Sequence, residues 1–283
     1  MVVFAGQGDA RRSMALLWRA EASEGVRTGP GPKPGLSVDM IVDTAIAVAD
    51  AEGMAALSMR AVGERLGRTA MALYTYVPGK NELVDLMYDR ALAELPTRYE
   101  PEAGWQAAVT SWAEDLWAFY LRHPWVLQVS QVRPVLGPNE YAVLEAVVRI
   151  LSGTGLTAEV LRRVVSTLFH FVRGVAQTVA ESRQAATATG VPDEEWWFAR
   201  SALLQEVAPG FAERFPMLTW METEGASHVE DESTPYLERE ARKTFEAGLT
   251  VLLDGIETAV GGTGAPVGRP GRGRGGRRGR PAG

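Results

Sequence analysis

The stretch LSMRAVGERLGRTAMALYTYVPGKNELVDLM, residues 57–87, decides the fold of the N-terminal part of this chain. Ser58 is a favourable N-cap, so a helix is expected to begin there. Gly67 interrupts the apolar period of that helix, and only a very short second helix fits between this glycine and Pro78. The stretch therefore predicts a helix over 58–66, a tight turn over 67–69 and a short helix over 70–76.

The rest of the chain has the period of helices rather than the alternation of strands. A first helix is predicted from Ser37 to Gly53, and another from near Lys80 to Pro96. Apolar side chains recur at helical spacing in five further segments, which are 105–119, 141–151, about 157–183, 193–207 and about 235–258. The sequence QAATATG at 184–190 predicts a linker, and residues 216–234 predict a polar, acidic loop.

These patterns predict an all-α protein in which an N-terminal three-helix helix-turn-helix domain precedes a larger C-terminal helical bundle. We expect four parts along the chain. They are a flexible Gly- and Pro-rich arm at 1–35, the helix-turn-helix domain at 36–82, the bundle at 83–260 and a disordered Arg- and Gly-rich tail at 261–283.

Composition excludes several classes of protein. The chain has no cysteine, so it has no disulfide, thiolate metal site or cysteine nucleophile. No apolar run approaches the roughly 20 residues that span a bilayer, and the N-terminal charges follow a short apolar patch, which is the wrong order for a signal peptide. We therefore expect a cytoplasmic protein. The net charge is −6 although residues 261–283 hold six arginines, so any contact with DNA must use a local patch.

A helix-turn-helix unit with a short second helix suits DNA, because the major groove admits one helix and its first turns reach the bases. Residues 57–87 resemble the DNA-binding segment of the TetR family of transcriptional regulators. The matching features are the Leu57-Ser58 entry, the Leu66-Gly67 break, the Leu73-Tyr74 pair, Tyr76, and Lys80 followed by Leu83. The helix before this segment fits the family's first helix too.

The resemblance implies DNA contacts from both helices of the unit. Arg60 stands where a guanine is read, and a bidentate Arg–guanine pair is the commonest base contact. Tyr74 and Lys80 match positions that contact phosphates, which set register rather than sequence. The expected DNA-binding residues are Ser58, Arg60, Arg68, Thr69, Ala70, Met71, Ala72, Tyr74, Thr75, Tyr76 and Lys80.

The bundle resembles the branch of the family that contains the tetracycline repressor. The resemblance rests on GWQAAVTSWAEDLWAFYLRHP at 104–124 and STLFHFVRGVAQTVAES at 166–182. It implies a ligand-binding and dimerisation domain whose effector site is lined by Trp112, Leu116, Ser130, Val165 and Phe169, with His170 and Arg173 supplying polarity. Ser130 stands in place of the repressor's metal-binding histidine, so we expect an apolar or aromatic effector, with no metal and no cofactor.

Two further expectations concern assembly and aromatic content. The resemblance places a dimer interface on the helices near 157–183 and 235–258, so we expect a homodimer that reads a palindromic operator on double-stranded DNA. The eight tryptophans suit an apolar pocket collectively, whereas each one alone is more simply a packing residue. Repression is the family's usual mode and is adopted by analogy.

Two alternatives remain open at this stage. An enzyme is not expected, because the three histidines are far apart and no HExxH, GxSxG or phosphate-binding loop occurs. A helical small-molecule-binding protein without specific DNA binding is the second alternative, since the predicted recognition helix holds no Asn, Gln or Arg.

Overall fold

The computed structural model describes residues 3–19, 35–100, 104–224 and 234–262. Within these ranges, nearly all of the regular structure is helical. The helices are α1 (Ala10–Leu17), α2 (Val38–Glu52), α3 (Met59–Arg65), α4 (Ala70–Tyr74), α5 (Lys80–Leu92), α6 (Trp105–Arg122), α7 (Pro138–Ser152), α8 (Ala158–Thr189), α9 (Asp193–Val207), α10 (Phe211–Arg214), α11 (Pro216–Glu224) and α12 (Tyr236–Gly262). A 3-10 helix covers Pro124–Gln128, and β1 (Val3–Phe4) pairs with β2 (Val129–Ser130).

Local signals set the ends of α2, α3 and α4. The hydroxyl of Ser37 accepts a hydrogen bond from the backbone N–H of Met40 at 3.2 Å, and Ser58 caps α3 in the same way. Gly53 and Gly67 have φ angles of 78° and 63°, which L-residues with a side chain rarely adopt. The helix starts and breaks predicted from the sequence are therefore confirmed in this region.

The prediction of a flexible arm at 1–35 is wrong for residues 3–19. Val3 lies opposite Val129 and Phe4 opposite Ser130 in a parallel pair of strands, and Ala5 and Leu17 are buried. The partner strand is more than a hundred residues away in sequence, so no local pattern indicates the pairing. The Gly- and Pro-rich stretch TGPGPKPG, with the exception of Gly35, lies outside the described residues.

The C-terminal bundle is built on α8, which packs against α6, α7 and α12. Its core is rich in aromatic side chains, and the largest fully buried ones are Trp112, Trp125, Phe119 and Phe245. Two predicted irregular segments are corrected. The expected linker at 184–190 continues α8 to Thr189, and the expected loop at 216–234 contains α11. Residues 184–189 and 217–224 hold no glycine or proline, so nothing in these stretches interrupts a helix.

Helices α9, α10 and α11 contribute no buried side chain to this fold. Trp196, Trp197 and Trp220 are about half exposed, so the expectation that these tryptophans help to form an apolar pocket is not met. No described helix combines the length and apolar character that crossing a membrane requires. The expected disordered tail lies outside the described residues, apart from Gly261 and Gly262 at the end of α12.

Candidate nucleic-acid interface and ligand cavity

The turn between α3 and α4 is held by a close approach of backbone to backbone. The N–H of Arg68 donates to the carbonyl of Gly63 at 2.8 Å. A Cβ at Gly63 would lie 2.8 Å from the carbonyl oxygen of Arg68, which is too close for an ordinary contact. Leu73 on the inner face of α4 is fully buried. Together these contacts fix which face of α4 points to solvent.

The outward face of α4 is aromatic and apolar. The side chain of Met71 is 74% exposed, and Tyr74 and Tyr76 are also exposed. Thr69 caps α4, because its hydroxyl accepts from the N–H of Ala72 at 3.4 Å. Ala70 and Ala72, also in the predicted DNA-binding set, are half-buried and pack on the core, so they offer less surface to DNA. Thr75 is exposed.

Basic side chains surround this face. Arg60, Arg68 and Lys80 are exposed, and Lys80 is the first residue of α5. The Nε of Arg60 lies 2.7 Å from Oε1 of Glu64, and this hydrogen bond raises the pKa of Arg60. Ser58 is exposed and uses its hydroxyl as the cap of α3. The arrangement presents an aromatic and apolar face with positive charges at its edges.

A cavity of about 610 Å³ lies between α5, α6, α7 and α8. Four of the seven predicted ligand residues line it: Leu116, Val165, Phe169 and His170. The wall is mainly apolar, with several polar groups. The remaining lining residues are Tyr88, Leu92, Tyr120, Gln131, Pro134, Leu136, Glu140, Tyr141, Val143, Leu144, Val148, Ala158, Leu161, Arg162 and Ser166.

The other three predicted ligand residues do not line the cavity, and this part of the prediction is corrected. Trp112 is buried beside Phe169, with ring centroids 4.9 Å apart, so it supports the wall. Ser130 lies in β2, where it pairs with Phe4 of β1. The guanidinium of Arg173 donates to the carbonyl oxygens of Leu127 and Val129 at 2.5 and 3.0 Å.

Sequence reasoning missed the polar end of the cavity. The side-chain amide of Gln131 donates to the hydroxyl of Tyr120 at 3.4 Å. Burial raises the pKa of Tyr88 and of Tyr120, so both hydroxyls stay protonated and can donate hydrogen bonds. Tyr120 lies one turn beyond Leu116 on the same face of α6, so the i, i+4 spacing from Leu116 would have found it.

Helix α5 connects this cavity with the helix-turn-helix unit. Its first residue, Lys80, is on the exposed surface, whereas Tyr88 and Leu92 line the cavity. The buried carboxylate of Asp89 accepts from the backbone N–H groups of Asn139 and Glu140 at 3.0 and 2.9 Å, in the first turn of α7. Burial raises the pKa of Asp89, and these bonds act in the opposite direction. Helix α5 therefore belongs both to the cavity wall and to the edge of the helix-turn-helix unit.

Comparison with known proteins agrees with this geometry. Residues 41–87 match the profile described as "Bacterial regulatory proteins, tetR family", and residues 96–260 match that of the "Tetracyclin repressor-like, C-terminal domain". The chain belongs to the TetR family. A relative is the HTH-type transcriptional repressor DrrR1 of Streptomyces coeruleorubidus, which is 39% identical over 258 residues, or 90% of this chain and 88% of that protein.

Solved TetR-family structures resemble the chain over most of its length. Apo ActR of Streptomyces coelicolor has a TM-score of 0.61 at 26% identity and covers 82% of this chain and 100% of its own. ActR in complex with actinorhodin has a TM-score of 0.60 at 26% identity, with 79% and 96% covered. The resemblance inferred from the sequence and the all-α fold class are thus confirmed.

This TetR-family chain is a ligand-responsive, DNA-binding transcriptional regulator. The alternative without specific DNA binding is not favoured, because the N-terminal match covers the helix-turn-helix unit. The family consists of bacterial regulatory proteins. In the parts of the chain that the structure describes, no three His, Asp or Glu side chains come together as a metal site would require.

Proposed function

We propose that this regulator is a repressor that binds a palindromic operator as a homodimer and leaves it when a small aromatic molecule fills the cavity. The observation that carries the proposal is the placement of α5, which begins with exposed Lys80 and also supplies Tyr88 and Leu92 to the cavity wall. A change in the cavity can therefore change the orientation of the helix-turn-helix unit without any further connecting element.

The DNA-binding part of the proposal rests on α4 and on the basic side chains around its outward face. The major groove, about 12 Å wide, admits one α-helix, and a helix as short as α4 is sufficient because only its first turns need to reach the bases. Met71 is the most exposed apolar side chain there and suits a thymine methyl, while Arg60 and Arg68 suit guanine. Tyr74 and Lys80 suit phosphates. The remaining proposed contacts are Ser58, Thr69, Ala70, Ala72, Thr75 and Tyr76, of which the two alanines have the least exposed surface.

The effector part rests on the chemistry of the cavity wall. The volume of about 610 Å³ suits a molecule of two to four fused rings. Phe169 offers a flat aromatic contact and Leu116 an aliphatic one. Tyr88, Tyr120 and Gln131 supply hydrogen-bond donors at one end, which suits carbonyl or phenolic oxygens on the effector. ActR, which has been solved with actinorhodin bound, provides a first compound to test.

A population shift would connect the two parts. The effector must bind the released state more tightly than the operator-bound state, because equal affinity for both would shift nothing. Tyr88 and Leu92 line the cavity about two and about three turns after Lys80 along α5. A small rotation of α5 at the cavity therefore moves the end that meets DNA.

The homodimer is proposed through α8 and α12. Their outer faces carry small side chains around an exposed groove, in which Val251 is 69% exposed and Gly248 lies against the ring of Phe171. Small residues allow two helices of a second copy to approach closely. The exposed apolar side chains of α9–α11 add to the surface that a second copy can cover. A dimer would place two copies of α4 on successive major grooves, on DNA in the cytoplasm.

The proposal is tested by footprinting the full-length protein on DNA from its own upstream region. We expect protection of two inverted half-sites about one helical turn apart, by a complex that survives moderate salt. Adding actinorhodin, or a hydroxylated polycyclic aromatic compound from a screen, should release the complex. The absence of any specific, salt-resistant complex would overturn the repressor proposal.

A further inference from the structure

Residues 3–19, here called the strap, join three separate parts of the protein. The strand β1 pairs with β2 beside the 3-10 helix. Helix α1 packs against α5. At the other end, the guanidinium of Arg19 forms an ion pair with Asp39 in α2. The strap therefore contacts the helix-turn-helix unit, the connecting helix and the bundle.

The strap is attached to α5 through two buried carboxylates. The N–H of Gly6 donates to Oδ1 of Asp85 at 2.9 Å, and the N–H of Asp9 donates to Oε1 of Glu82 at 3.2 Å. The two acidic residues are only 2% and 7% exposed. Because a buried carboxylate without a donor is costly, these bonds make separation of the strap from α5 unfavourable. Both acids lie within two turns of Lys80, at the end of α5 that is proposed to meet DNA.

The strap also contacts the wall of the cavity. The indole N–H of Trp18 donates to the carbonyl of Leu136 at 3.1 Å, and its ring lies 6.3 Å from the ring of Tyr141. Leu136 and Tyr141 both line the cavity. A molecule that displaces either residue acts directly on Trp18.

We propose that the strap is a second connection between the cavity and the helix-turn-helix unit, and that its closed form holds α5 in the orientation that binds the operator. A displacement of the cavity wall changes the contacts of Trp18 and so shifts the strap. The hydrogen bonds from the strap to Glu82 and Asp85 then shift α5. This inference rests on the proposed function, since it assumes an operator and an effector in the cavity.

The test uses operator affinity of the full-length protein, on DNA obtained by in vitro selection with the wild type. Trp18→Ala and Tyr141→Ala should each weaken binding by at least about five-fold. The double variant should lose little more than either single variant, because both act through one contact. Trp18→Phe retains the ring but lacks the N–H donor, and it should weaken binding about two-fold with thermal stability unchanged. Arg11→Ala, on the exposed side of α1, is the control and should bind like the wild type.

A reversible lock gives a second measurement. The chain has no cysteine, and Phe4 lies opposite Ser130 in the strand pair, so Phe4→Cys/Ser130→Cys introduces one possible disulfide. Added to Trp18→Ala, the oxidised bond should restore operator affinity to within about two-fold of the wild type, and reduction should remove the gain.

The outcomes separate the strap from the function on which it rests. A wild type that selects no specific DNA overturns the proposed function, and the strap's role with it. If the wild type binds DNA specifically, three results would overturn only the proposed role of the strap. They are additive losses in the double variant, an equal loss in Arg11→Ala, and no recovery of affinity on oxidation.

Discussion

The Nε of Arg60 lies 2.7 Å from Oε1 of Glu64, one turn further along the same helix. Both side chains are exposed, and exposed ion pairs at this spacing contribute little to stability. A bidentate contact with guanine is stronger, so the operator can take Arg60 away from Glu64. The pair therefore competes only weakly with the proposed contact between Arg60 and guanine.

The Arg60–Glu64 pair leads to the first prediction. Arg60→Ala should weaken operator binding about ten- to a hundred-fold and remove the preference for guanine at one position. Glu64→Gln should strengthen binding slightly, because it frees Arg60 and removes a negative charge near the phosphates. Fluorescence anisotropy on matched and substituted operators measures both effects. Arg149→Ala breaks a similar exposed pair with Glu145 on α7 and is the control. An unchanged base preference in Arg60→Ala would exclude this reader.

Gly63 leads to a prediction about stability. Gly63→Ala places a Cβ 2.8 Å from the carbonyl oxygen of Arg68, so the turn between α3 and α4 must shift. We expect a loss of about 1–3 kcal/mol in the free energy of unfolding, measured with urea, and weaker operator binding. Gly153→Ala is the matched control, because open space surrounds Gly153 and its φ is −78°. Equal stability of the two variants would show that the turn tolerates a side chain.

Asp85 leads to a prediction about pH. Burial raises the pKa of Asp85, and the bond from Gly6 opposes that shift. A raised pKa in the folded state means that this group stabilises the fold most below its unfolded pKa, and that the contribution is lost as pH rises through the folded pKa. Asp85→Asn keeps the acceptor for Gly6 but does not titrate.

The stability of the wild type relative to Asp85→Asn should therefore increase as the pH falls from neutral towards 4. The slope cannot exceed about 1.4 kcal/mol per pH unit, which is the limit for one proton. Urea unfolding at a series of pH values measures the difference. A difference that does not vary with pH would contradict the raised pKa.

The proposed dimer leads to the fourth prediction. Val251→Arg places a charge on the exposed face of α12, where a second copy should exclude water. We expect the variant to sediment as a monomer and to lose operator binding, with its helical content retained. Val132→Arg makes the same change at a valine that is 85% exposed outside α12, and it should remain dimeric. Dimers in both variants would place the interface elsewhere.

The helix-turn-helix unit could be predicted from the sequence because its signals are local. Ser37 and Ser58 cap helices with their own side chains, and Gly53 and Gly67 adopt backbone angles that favour glycine. Such interactions join residues a few positions apart, so the sequence shows them directly. The exposure of Met71 and the burial of Leu73 followed from the helical period in the same way.

The cavity could be predicted only in part. Leu116, Val165, Phe169 and His170 line it as expected, because they lie on inward or rim positions of long, regular helices. Trp112 shares the face of Leu116 but packs behind Phe169, and only the crossing of α6 and α8 decides this. The donors Tyr88 and Gln131 come from segments far apart in the chain, so no single stretch of sequence predicts the polar end.

The sequence by itself determined the all-α class, the helix-turn-helix unit and the family of this protein, because caps, breaks and apolar periods act over one or two turns. Only the tertiary structure decided the place of residues 3–19 and the composition of the cavity wall. The bonds from Gly6 to Asp85 and from Trp18 to Leu136 join residues 79 and 118 positions apart. Such partners are chosen by the packing of whole helices, which local sequence patterns do not encode.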